Sequence, residues 1–197
     1  IGNYGKPVII STGMSTLGEI EASLEILETA GTPRNQITVL HSNTEYPTPM
    51  EDVNLKSMLT IGEAFGVAVG YSDHTLGVEV PLAAVALGAC VIEKHLTLDK
   101  TLAGPDHRAS LNPKELRDMV EGIRKVEKSL GHGRKEPAAS EAGNREIIRR
   151  SVAVAFDVPV GNVLRSDMLT LLRPAGGITP SQLEEVAGHR PKRALRA

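Results

Sequence analysis

Tryptophan is absent and aromatic residues make up only 3% of the 197-residue chain. Any core must therefore be built from Ala, Val, Ile and Leu, side chains that suit closely packed α/β layers. The single cysteine, Cys90, excludes an internal disulfide. It sits in an apolar run and reads as a buried, reduced thiol of a cytosolic protein. The longest nearly uncharged run, Val80 to Ile92, follows Glu79 and is too short to span a bilayer; the first residues show no signal-peptide pattern. Basic residues are not in excess either. A formal net charge of −2 leaves no electrostatic footprint for nucleic acid, so neither a polyanion nor a membrane surface is an expected partner. No GxGxxG or Walker pattern occurs, and Gly13, Gly104, Gly176 and Gly177 read as turn formers.

What the chain does have is a repeated strand and helix pattern. Strands are expected at Lys6–Thr12, Ile37–Ser42, Val67–Ser72 and Cys90–Leu96, all rich in β-branched residues. Between them lie helical stretches: one opened by the capping-box pair Thr16 and Glu19, one from about Val53 to Phe65, and one near Val78–Leu87 with Pro81 in its first turn. A last helix starts at Asn112, Pro113 and Glu115 and runs to Gly131. With no hairpin signal between them, these are four βα units, either half of a (β/α)₈ barrel or an open doubly wound sheet. The segment 131–150 is polar and charge-dense, a linker with one short helix. Residues 151–197 look like the start of a small, separate β-rich domain, which leaves residues 1–130 as the α/β domain.

The chemistry-bearing residues gather at the strand ends. His74 follows Ser72 by two, and His95 follows Glu93 by two; on a strand, i and i+2 share a face. Each pair thus presents two polar groups together at the end of the sheet where α/β folds place their sites. Read from the residues alone, His74 and His95 are either a pair of metal ligands or hydrogen-bonded structural residues. Glu93 is expected to be buried, and so either functional or a partner for a histidine. Ser11, Thr44, Tyr46 and Ser72 offer hydroxyls that hold a phosphate or carboxylate, or else are ordinary turn residues. Asp106, in the loop after the fourth strand, can reach a hydroxylated substrate or is a plain turn Asp. His41 also ends a strand, with a supporting or packing role.

Together, KPVIISTGMS, HSNTEYPTPMEDVNL, SDHT, VIEKHLT, AGPDHRASLNP and the late RPAGGI make the whole chain resemble the bacterial sialic acid synthases. That resemblance implies a (β/α)₈ barrel followed by a small antifreeze-like (SAF) domain, in a domain-swapped homodimer. It implies condensation of phosphoenolpyruvate with an N-acylated mannosamine-type sugar to a nine-carbon 2-keto acid, with release of phosphate and with Mn²⁺ or another divalent metal. Carried over by motif, His74 and His95 match the metal ligands and Glu93 the carboxylate beside the metal-bound water. Asp106 matches the sugar contact, and Ser11, Ser72 and Tyr46 match positions that bind phosphoenolpyruvate. Arg173 matches the arginine that one protomer's small domain inserts over the other's sugar site. One departure concerns the acceptor. Where the sialic acid branch has an Asn two residues before the tyrosine, this chain has Thr44. The form HSNTEYPTP is similar to that of synthases for legionaminic acid, which take a 2,4-diacetamido-6-deoxy sugar in place of N-acetylmannosamine.

The resemblance also implies that the chain is the second half of the barrel, part of a longer cytoplasmic enzyme and inactive by itself. Two other readings of the residues stand beside it: a metal-dependent hydrolase or aldolase on an open α/β sheet, and a non-catalytic saccharide-binding module.

Overall fold

A computed structural model describes residues 1–197 and divides them into two units, Ile1–Gly133 and Arg134–Ala197. In the first unit the β-branched runs form β1 (Val8–Ser11), β2 (Ile37–Ser42), β3 (Ala68–Asp73) and β4 (Ile92–Lys94). They pair in sequence order as one four-stranded parallel sheet. Helices α1 (Leu17–Thr29), α2 (Lys56–Phe65), α3 (Glu79–Ala86) and α4 (Pro113–Leu130) alternate with the strands. Because every strand runs the same way, all four C-terminal ends lie along one edge.

Local signals explain where the helices begin and stop. Thr16 and Glu19 close a reciprocal capping box at α1, as do Asn112 and Glu115 at α4, where Pro113 occupies the first helical position. Gly66, at φ 63°, ends α2 in the left-handed conformation that glycine adopts without strain. The core lies between helices and sheet. Ile20 and Leu24 of α1 pack with Ile37 and Val39 of β2 and with Ile61 and Phe65 of α2. A second cluster joins Met58, Tyr71, Val80 and Ala84. Two glycines permit close approaches: a Cβ at Gly70 would come within 2.5 Å of the Val91 carbonyl oxygen, and one at Gly122 within 3.1 Å of Leu82 on α3.

Two expectations are corrected. The fourth strand spans only Ile92–Lys94, and Cys90 is exposed. The apolar run that suggested a longer strand instead leaves α3 through a turn at Leu87 and Gly88, so Cys90 lies on the approach to the strand and outside the packed layer.

In the second unit, α5 (Ala142–Ile148) precedes an antiparallel pair, β5 (Ser151–Val154) and β6 (Leu169–Leu172), and the short α6 (Leu183–Val186) follows. Val154, Val158 and Leu164 form its core. No helix is long and apolar enough to cross a membrane.

Candidate active site

The register of β3 and β4 makes Ser72 and Glu93 direct partners. From there a hydrogen-bonded cluster extends along the C-terminal edge of the sheet. Ser72, only 2% exposed, donates from Oγ to Glu93 Oε1 at 2.7 Å and lies 3.4 Å from His74 Nε2. Glu93 itself is exposed, contrary to its expected burial. Its carboxylate is held by the bond from Ser72 across the ladder.

His74 is oriented from behind. Its Nδ1 lies 2.5 Å from the Asn43 carbonyl oxygen, which can only accept, so Nδ1 carries the proton and Nε2 presents a lone pair. That nitrogen faces Tyr46 Oη at 2.6 Å, and His95 Nε2 reaches the same oxygen at 3.0 Å. The Tyr46 ring stacks on His74 with centroids 4.0 Å apart, and the two imidazoles stand edge to face at 5.4 Å. The loop carrying Tyr46 is tied to the site by the Thr48 N–H, which donates to the His74 carbonyl at 3.0 Å. Behind His95, Nδ1 lies 3.7 Å from Asp106 Oδ2. Burial, then the charges of Asp106 and Glu93, push the Tyr46 phenol above its usual range, so it stays a neutral hydrogen-bond donor.

Two imidazole nitrogens therefore converge on one oxygen position. No cluster of three or more His, Cys, Asp or Glu side chains surrounds it. The pair fits a divalent cation held by two neutral imidazoles, with oxygen donors from water or substrate completing the sphere, a donor set suited to Mn²⁺, Zn²⁺ or Fe²⁺.

Of the residues singled out from sequence, Tyr46, Ser72, His74, Glu93, His95 and Asp106 meet in this cluster. Ser11 ends β1 on the same edge, exposed and bonded to none of them. Thr44 is exposed beside the turn after β1, where a Cβ at Gly13 would overlap its methyl group. Arg173 belongs to the second unit, just after β6. His41 packs at 5.6 Å on the Tyr71 ring and bonds the Val53 carbonyl through Nε2. Sequence reasoning missed Asn43 as the acceptor that sets the His74 tautomer, because a backbone carbonyl leaves no compositional signal. It also missed Asp73 and Lys94, which pair behind the histidines. A concavity of about 1010 Å³ lies within the second unit between Val154, Leu169, Val186 and Arg193. The convergent polar groups, and not volume, mark the candidate site.

Known proteins match along the whole chain. Residues 1–135 match the NeuB family and residues 149–197 the SAF domain. An N,N'-diacetyllegionaminic acid synthase of Campylobacter jejuni is 49% identical over 95% of this chain and 56% of that relative. One from Legionella pneumophila is 44% identical over 93% of this chain and 52% of its own length. The crystal structure of the N-acetylneuraminic acid synthetase of Leptospira borgpetersenii superposes with a TM-score of 0.65 at 40% identity, covering 73% of this chain and 49% of that one. The chain thus spans about half the length of the curated relatives it matches.

Proposed function

Because this chain belongs to the NeuB family, we propose that it supplies the metal, base and sugar-contact part of a (β/α)₈ synthase built from successive βα units. The reaction condenses phosphoenolpyruvate with an N-acylated mannosamine-type sugar to a nine-carbon 2-keto acid and releases phosphate. The observation that carries the reading is the convergence of His74 Nε2 and His95 Nε2 beside a Glu93 already held by Ser72.

The residues divide the work by position. As C3 of phosphoenolpyruvate bonds to the sugar aldehyde carbon, the carbonyl π bond opens to an alkoxide and C2 is left electron-poor. Water adds at C2 as Glu93, oriented by Ser72, takes its proton and returns it to the alkoxide; the tetrahedral intermediate then expels phosphate, which leaves with the C2 hydroxyl proton, to give the keto group. When bound by His74 and His95, a divalent cation such as Mn²⁺ supplies Lewis acidity toward the sugar carbonyl. Tyr46, Ser72 and Ser11 bind phosphoenolpyruvate, Tyr46 as a neutral donor. Asp106 contacts a sugar hydroxyl. Arg173, delivered from the small domain of a second protomer in a domain-swapped homodimer, covers the sugar. Thr44 and the two legionaminic relatives favour a 2,4-diacetamido-6-deoxy acceptor over N-acetylmannosamine.

The test joins the N-terminal part of the Campylobacter jejuni relative to this chain and measures phosphate release with each sugar. Turnover is expected to depend on added Mn²⁺, to disappear in Glu93→Gln and to favour the diacetamido sugar; the 197-residue chain alone is expected to be inactive. A folded chimera that binds both substrates yet releases no phosphate would overturn the proposal.

A further inference from the structure

Behind the histidine edge lies an ion pair that the proposed chemistry does not use. Successive strand residues face opposite sides. While Ser72 and Glu93 turn toward the cluster, their neighbours Asp73 and Lys94 turn away from it, and these two are also register partners. Lys94 Nζ lies 2.5 Å from Asp73 Oδ2, with the two side chains only 2% and 0% exposed. The same ammonium donates to the Thr75 carbonyl at 2.7 Å, and Asp73 Oδ1 accepts the Thr75 N–H at 2.9 Å.

The pair therefore grips both peptide groups of Thr75, immediately after His74, while Lys94 itself immediately precedes His95. A buried ion pair contributes little net stability, because desolvation offsets its Coulomb attraction. Its position is more telling than its strength. We infer that Asp73 and Lys94 are positioning residues for the two imidazoles. They fix the backbone at His74 and bind it to the strand that ends at Lys94, one residue before His95, so that the two Nε2 atoms keep converging. The inference rests on reading this edge as the metal site, and neither side chain touches substrate.

The experiment uses the 197-residue chain with Asp73→Asn, Lys94→Met and the double substitution. Thermal unfolding measures stability, Co²⁺ titration measures the site, and long-range ¹⁵N–¹H spectra report which nitrogen of His74 carries its proton. Each single substitution strands one buried polar or charged group and is expected to lower the melting temperature. The double substitution removes both charges and is expected to recover it. Co²⁺ affinity is nevertheless expected to stay roughly ten- to a hundredfold weaker in the double variant, as for lost ligand-orienting partners generally. The His74 Nδ1–H signature is likewise expected to be lost. Recovery of affinity and signature together with stability would show that the pair is structural only. If the unsubstituted chain binds no Co²⁺, the metal reading fails, and the His74 signature alone decides the positioning role: unchanged in the folded double variant, it overturns it.

Discussion

Ser72 Oγ donates a 2.7 Å hydrogen bond to Glu93 Oε1 across a direct rung of the β3 and β4 ladder. The strand pairing that builds the sheet thus also aims the carboxylate proposed as base. Glu93 is exposed, and this bond sets the direction of its carboxylate.

Ser72→Ala is expected to leave the fold intact and slow phosphate release by the chimera. A hydrogen bond to a charged group contributes about 1.5–3 kcal/mol, which corresponds to a fall of roughly ten- to a hundredfold in kcat/KM. Steady-state kinetics with circular dichroism as the folding control measures it, and an unchanged rate would remove Ser72 from the mechanism.

Tyr46 and the histidines should respond oppositely to substitution. His74→Ala and His95→Ala are expected to abolish Mn²⁺ binding. Tyr46→Phe removes the hydroxyl that occupies the point between the two Nε2 atoms, and tighter binding is expected, by up to about tenfold for one net hydrogen bond. With no Trp and three Tyr residues in the chain, tyrosine emission during Mn²⁺ titration reads the event in the unsubstituted protein. Weaker metal binding in Tyr46→Phe would show that the phenol helps to hold the ion.

His41 provides a pH signal separate from the site. Burial holds its imidazole below the ordinary 6.5, partly opposed by its bonds to the Val53 and Asn54 carbonyls. The folded chain then binds fewer protons than the unfolded one, so stability is fully present above 6.5. It falls as pH drops from there toward the depressed folded value, and levels off below it. Urea unfolding across this window is expected to show a smaller acid-side loss in His41→Gln, which keeps a donor for Val53 but cannot titrate. Equal losses in both proteins would assign the effect elsewhere.

Ser151 fastens the RPAGG segment after Arg173. Its hydroxyl donates to the Pro174 carbonyl at 3.1 Å and accepts the Gly177 N–H at 3.1 Å. Ser151→Ala is expected to speed amide exchange at Gly177 and to raise KM for the sugar in the chimera more than it lowers kcat. Protection at Gly177 equal to that of the unsubstituted chain would show that the loop is held by other contacts.

Much of the first unit was legible because strand periodicity and capping chemistry are local. Alternation places Ser72 near His74, and their side chains lie 3.4 Å apart; Glu93 instead bonds Ser72 across the ladder. The failures have a common cause in what alternation does not report. Cys90 reads as buried because an apolar run does not say whether it continues a strand or leads into one, and the structure exposes it. Glu93 reads as buried because a short strand says nothing about what covers its side chains, and the structure leaves it exposed. Asp73 and Lys94 went unread because two opposite charges about twenty residues apart look like separate solvated side chains until the register brings them together. Tyr46 joined the cluster through a loop whose path is fixed by the Thr48 bond to His74, a contact no spacing rule contains.

The segment bearing Asp106 has a narrow neck. Leu96 bridges to Leu111, the Thr97 N–H donates to the Leu111 carbonyl, and the Leu111 N–H donates to the His95 carbonyl. Lys100 is paired to Glu115 at the start of α4. A loop closed at its base in this way behaves as an exchangeable cassette. Its interior can therefore vary while the backbone beside His95 stays tied to Leu111.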